Sequence, residues 1–138
     1  MNWYLKVLKQ YADFKGRARR KEYWMFFLFN FIIWMVMVAV SMILAITGGM
    51  AAAPVLSILL AIYYLGIIVP GLAVTVRRLH DQNKSGTWFF LAFFPLIGGI
   101  WLLVLMCTEG TSGPNQYGAD PKNGESFNED ALDSHLST

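Results

Sequence analysis

The chain alternates between long stretches without a charged side chain and short stretches crowded with them. Three uncharged blocks stand out: Tyr23 to Thr47, Pro54 to Val76 and Trp88 to Cys107, of 25, 23 and 20 residues. At about 1.5 Å rise per residue, each is long enough as a helix to cross a hydrocarbon core of roughly 30 Å. A helix buried in a soluble protein rarely stays charge-free over that distance, so three in succession predict membrane spans. Ahead of them, "WYLKVLKQYADF" (residues 3–14) sets Trp3, Tyr4, Val7, Leu8, Tyr11 and Phe14 on one helical stripe. Lys6, Lys9, Gln10 and Asp13 take the other side. Such a helix suits the plane of the membrane interface, and Gly16 allows a sharp turn from it into the first span.

The pattern therefore predicts an all-α membrane protein: an N-terminal amphipathic interfacial helix, then three transmembrane helices, in a single domain of residues 1–122. Residues 123–138 are polar and acidic and read as a disordered tail. The third span is the shortest, and "FFPLIGGIW" places Pro95, Gly98 and Gly99 at its middle. Those residues either kink a crossing helix or turn the chain back as a re-entrant hairpin. Twenty residues fit one span and leave two short halves otherwise, so length favours the kinked crossing.

Composition agrees with the pattern. Hydrophobic residues make up 56% and charged residues 14%, against roughly 45–50% and 25% in soluble domains. The first block is too long for the apolar core of a signal peptide and reads as a retained span. The single cysteine, Cys107, forms no intramolecular disulfide and makes no metal set with His80 and His135. No metal and no cofactor is expected.

Charge sets the orientation. Seven lysines and arginines precede the first span, the connection from Gly48 to Ala53 has none, and Arg77, Arg78 and Lys84 lie between the second and third. The positive-inside rule puts the N-terminus and the second connection in the cytoplasm. With three full crossings the tail lies outside. The short turn between spans one and two predicts an antiparallel hairpin. Ser41, Ala45 and Gly49 recur every four residues on the first, and Ala53, Ser57 and Ala61 on the second. Small residues on facing stripes let two backbones approach closely in lipid.

The candidate chemistry lies in the charged motifs. "GRARRKEYW" (16–24) carries Arg17, Arg19, Arg20 and Glu22; "VRRLHDQNKSG" (76–86) carries Arg77, Arg78, His80 and Asp81. Both fall at the cytoplasmic boundary. Arginine's planar fork suits paired contact with phosphate or carboxylate, where lysine would suffice for anchoring. Glu22 is the nearest protein carboxylate for these arginines to meet. A proton-transfer role for His80 with Asp81 is disfavoured, because adjacent helical residues do not face each other. "TEGTSGPNQYGADP" (108–121) is rich in turn residues.

Taken together, "FKGRARRKEYW", "VRRLHDQNKSG" and "FFPLIGGIWLLVLMCTEGTSGPNQYGADPK" resemble the domain-of-unknown-function 805 family of small bacterial membrane proteins, over roughly residues 1 to 122. The resemblance implies multi-pass residence in the bacterial inner (cytoplasmic) membrane and a compact helical fold. It carries over no activity, substrate or catalytic residue.

Three functions are in play. The first is a non-catalytic membrane protein whose arginine clusters bind anionic lipid headgroups or a protein partner, as charge-based membrane binding would. Its partners are the phospholipid bilayer and a homo-oligomer or another membrane protein; no nucleic-acid partner is expected. The second is a small oligomeric transporter or channel subunit, with a pore lined by Asn30, Ser41, Ser57 and Thr75. It lacks the ionisable side chain within the spans that ion pathways usually display. An enzyme ranks third, with no Ser/His/Asp set, metal cluster or phosphate loop in view; lipid-modifying chemistry at the Arg/His/Asp surface stays open.

Overall fold

The structure, a computed structural model, describes residues 2–47 and 52–123. Gly49 and the tail from residue 124 lie outside the described residues, as does the side chain of Ala53. Helix α1 runs Asn2–Lys9, α2 Arg20–Ile46 and α3 Ala52–Asp81. A 3-10 helix, Gly86–Phe93, and a final helix α4, Ile97–Cys107, complete the order. All named elements are helical; among the described residues, pairing outside them amounts to one isolated bridge, between Asn115 and Gly118.

Helices α2 and α3 have 27 and 30 residues and are each long and apolar enough to cross a membrane. Both extend beyond the uncharged blocks at one end. There α2 begins in the basic motif, and α3 continues through Arg77, Arg78, His80 and Asp81. Midway, the Tyr63 hydroxyl donates to Asn30 Oδ1 at 2.6 Å and joins the two helices. Asn30 Nδ2 donates to the Phe26 carbonyl at 2.7 Å, so the amide is satisfied inside the pair.

Among the described residues of the small-residue stripes, side chains face away from a close contact. Ala45, Ser57 and Ala61 are exposed. The Ser41 and Ser57 hydroxyls donate back to Met37 and Pro54 carbonyls of their own helices, both at 2.8 Å. Larger side chains do the packing instead, at the charged end. Val7, Ala18, Phe26 and Val74 form a buried cluster with Tyr4, Leu8, Tyr23 and Ile67 against it.

Helix α1 is shorter than the stripe predicts. Asp13 Oδ1 accepts from the Lys15 amide at 2.9 Å, and this local turn competes with further helix. Val7 is fully buried in the cluster, so part of the apolar face meets protein; Leu5, Tyr11 and Phe14 remain exposed. Gly16 takes φ +80°, the left-handed turn that carries the chain on to α2.

The third apolar block is not a continuous helix. Pro95 cannot donate a backbone hydrogen bond, and Leu96 adopts φ +67°, exceptional for leucine. The chain reverses there. Gly98 lies so close to the 3-10 helix that a Cβ would sit 1.6 Å from the Leu91 carbonyl oxygen. Both ends of the hairpin return to the last turns of α3. Gly86 abuts Val76, and the other end meets Arg78 through the Met106 carbonyl at 3.4 Å. At about 1.5 Å per α-helical residue and 2.0 Å per 3-10 residue, each arm is roughly 16 Å long, half a hydrocarbon core. The kinked crossing favoured by length therefore gives way to a hairpin, because helix length says nothing of a reversal at Leu96.

Candidate functional site

The charged motifs converge at the end of the helix pair where α2 starts and α3 stops. After Gly16 the chain lies along α3, with the Ala18 amide donating to the Arg77 carbonyl at 3.0 Å. Arg17, Glu22, Arg77, Arg78 and Asp81 are all buried there. Successive helical residues point about 100° apart, so Arg77 and Arg78 reach toward different partners.

Arg77 turns toward the N-terminal segment. Its Nη1 lies 3.2 Å from Glu22 Oε1 and also donates to Gln10 Oε1, while Lys6 Nζ lies 2.9 Å from Glu22 Oε2. The other terminal nitrogen, Nη2, is buried with no hydrogen-bond partner among the described residues. Glu22 thus meets one of the α3 arginines rather than those of its own motif.

Arg78 turns toward the C-terminal segment. Its Nη1 pairs with Asp81 Oδ2, and its Nη2 donates to the Thr108 carbonyl. The second oxygen of Asp81, Oδ1, lies 3.0 Å from Arg17 Nε. Arg17 Nη1 donates to the Gly113 carbonyl at 2.6 Å, and Nη2 to the Thr111 carbonyl. One carboxylate therefore links the guanidinium group of Arg17, from the N-terminal segment, to that of Arg78, one turn earlier on α3. Taking such groups out of water is expensive, and removing one partner from a buried pair costs about 3–5 kcal/mol because the other charge is stranded.

The loop after α4 is shaped to this cluster. A Cβ on Gly110 would stand 2.0 Å from Asp81 Oδ2, so only glycine fits beside the carboxylate. Thr111 donates to the Asp81 carbonyl through its amide at 2.8 Å and its hydroxyl at 3.0 Å. Gly113 and Gly118 take positive φ, and Asn115 and Gly118 exchange backbone bonds of 3.0 Å. His80 stacks flat on Tyr117, centroids 3.9 Å apart, and its Nδ1 faces the Gly16 carbonyl at 3.2 Å. His80 is thus a packing residue of the loop and forms no hydrogen bond with Asp81.

Arg20 stands apart from this interior. Arg20 is exposed; it donates to the Cys107 carbonyl at 2.9 Å and lies 3.6 Å from Glu109, which also pairs with Lys122. Lys122, helped by Arg20, holds the Glu109 carboxyl below its ordinary range. At Asp120 burial raises the pKa, but amide bonds from Lys122 and Gly113 outweigh it and the net shift is downward. Arg19, Arg20, Lys21 and Lys122 share a cavity of about 340 Å³ with Asp81, Gly110 and Pro121.

The sequence motifs single out the five buried charges but miss Lys6, Gln10, Glu109, Gly110, Thr111 and Lys122. A turn-rich segment signals its own bends, and nothing in it announces the distant carbonyl acceptors Arg17 and Arg78 require. The site is a hub of buried ion pairs, with Arg17, Arg77 and Arg78 on Glu22 and Asp81, and a basic rim.

Comparison with known proteins accords with this architecture. The chain is 52% identical over 124 residues to inner membrane protein YhaI of Escherichia coli (strain K12), covering 90% of this chain and 98% of the relative. It is 46% identical over 122 residues to inner membrane protein YhaH of the same strain, covering 88% and 98%. With uncharacterized protein YiiR of that strain it shares 30% identity over 134 residues, covering 78% and 85%. No solved structure matches. Residues 11–119, from the end of the first amphipathic segment through the loop that embraces Asp81, match the family described as protein of unknown function (DUF805), and the chain belongs to that family.

Proposed function

We propose that this is a multi-pass protein of the bacterial inner membrane that acts without catalysis and binds anionic phospholipid through its cytoplasmic face. In this reading α2 and α3 cross the bilayer, and the N-terminal segment lies at the interface with its exposed Leu5 and Phe14 toward lipid. The hairpin of residues 86–107 enters and leaves from the cytoplasmic side. The N-terminus and the loop from Thr108 then share that side, and the outward tail expected from three full crossings gives way to an inward one. Lysine and arginine counts support the orientation.

The observation that carries the reading is the division of the basic residues. Arg17, Arg77 and Arg78 are neutralised inside the protein by Glu22, Asp81 and carbonyl groups. Arg20, Lys21 and Lys122 line the rim cavity, where Arg20 and Lys122 are held only by exposed contacts; in this reading the cavity lies at the level of the headgroups. Basic residues so placed attract anionic lipid by about 1 kcal/mol each. The pore alternative fits less well: Asn30 bonds Tyr63, and Ser41, Ser57 and Thr75 bond carbonyls of their own helices.

Two measurements test the proposal. Native mass spectrometry of the purified chain should show phosphatidylglycerol retained in preference to phosphatidylcholine; equal retention would count against it. A Ser112→Cys reporter on a Cys107→Ser background should react with an impermeant maleimide only from the cytoplasmic side. Labelling from outside would restore the three-crossing arrangement.

A further inference from the structure

The rim cavity does not stand alone. Arg20 and Lys21 also border a groove of about 490 Å³ floored by Trp24, Met25 and Cys107. A basic chamber and a largely apolar channel therefore meet across two shared side chains. Both lie at the start of α2, where the helix dipole is positive and Arg19 caps no amide with its side chain. Two cations in that first turn, Arg20 and Lys21, raise the local potential further. Asp81 borders the chamber but is already paired by Arg17 and Arg78.

The anion that meets Arg20 and Lys122 is Glu109. It is exposed, contacts Arg20 at 3.6 Å, and pairs with Lys122. Its depressed pKa reports the same positive surroundings. Exposed pairs of this kind are weak and exchange readily, because both partners regain water on release.

We propose that the chamber and groove form one binding site for an anionic phospholipid, with the phosphodiester among Arg20, Lys21 and Lys122 and the glycerol and acyl portion over Trp24 and Met25. Glu109 occupies the cations until lipid displaces it. The inference rests on the anionic-lipid reading above and narrows it to one site with a built-in competitor. A free phosphate compound would satisfy the chamber alone; a lipid satisfies both halves.

The experiment is a native mass spectrometry titration of the full chain in detergent. Its probes are short-chain phosphatidylglycerol, phosphatidylcholine of the same chain length, and glycerol phosphate. The wild type should bind one phosphatidylglycerol at least about tenfold more tightly than either other probe, as loss of one charge-assisted contact would require. Arg20→Gln with Lys21→Gln should weaken phosphatidylglycerol by about tenfold or more; Lys122→Gln tests the opposite wall independently should the double variant prove unstable. Glu109→Gln should strengthen binding several-fold. Asp13→Asn, the same change of charge on the loop before Gly16, should leave it unaltered. Equal gains from Glu109→Gln and Asp13→Asn would mean diffuse attraction and overturn the site. So would a phosphatidylglycerol preference that survives both the double variant and Lys122→Gln, although the broader reading would stand. Glycerol phosphate binding as well as the lipid would remove the groove from the proposal. No preference for phosphatidylglycerol over phosphatidylcholine would remove both readings.

Discussion

Arg17 and Arg20 belong to one basic run, yet the Arg17 side chain is 1% exposed and that of Arg20 46%. Arg17 uses all three guanidinium nitrogens, toward Asp81, Gly113 and Thr111, in surroundings without competing water. Arg20 makes one carbonyl contact and one loose ion pair within reach of solvent. The fork geometry matters at the first and hardly at the second. A motif read as one cluster is therefore two devices: a lock that ties the flanking segments to α3, and a rim of exposed, weakly held cations.

The sharpest way to break this comparison is at the carboxylate. Asp81→Asn keeps the size of the side chain but strands Arg17 and Arg78, and should cost about 3–5 kcal/mol. A thermal melt in detergent reads it; a melting temperature unchanged from wild type would mean the lock carries no stability. Next in size is arginine against lysine at the two positions. Arg17→Lys should lose about 1.5–3 kcal/mol, the worth of hydrogen bonds to a charged group that one ammonium cannot reproduce. Arg20→Lys should stay within about 0.5 kcal/mol, as exposed substitutions usually do. Similar losses at both would erase the distinction between lock and rim.

The smallest effect concerns pH. The folded-state pKa of Glu109 is depressed, chiefly by the hydrogen bond from Lys122 and then by the charges of Lys122 and Arg20. Its contribution is thus present above the unfolded value and lost as pH falls through the lower folded value. Glu109 is fully exposed, so acidification should loosen the rim with little change in the melt. Glu109→Gln should remove this acid-range component from the pH dependence of phosphatidylglycerol binding. An identical profile in the variant would assign the titration elsewhere.

The pair of long apolar helices was legible because a soluble core seldom tolerates an uncharged run of 23 or more residues. The hairpin was legible only as an alternative. Pro95 and Gly98 marked the place, but a rule that counts residues treats all of them as helical at one rise, and Leu96 carries no sign of a left-handed backbone. The lock was half legible. Its charged members sit in two compact motifs, whereas their assignment to partners depends on approaches such as Gly110 to Asp81 that no local pattern encodes. The small-residue stripes could be read only as helix faces, for a related reason. Spacing shows which residues share a helix face, and Phe26, Val74 and the Asn30–Tyr63 bond decide which faces meet.

Asp81 draws its partners from both ends of the chain, and this has a consequence for biogenesis. When α3 leaves the ribosome, Arg17 and Arg77 have already been made, but the carbonyls of Thr108, Thr111 and Gly113 have not. Until they arrive, Arg78 and Asp81 form an incomplete knot. A chain halted before Thr108 would hold both long helices and still display unsatisfied charge, a mark by which quality-control proteases could tell a fragment from a finished protein.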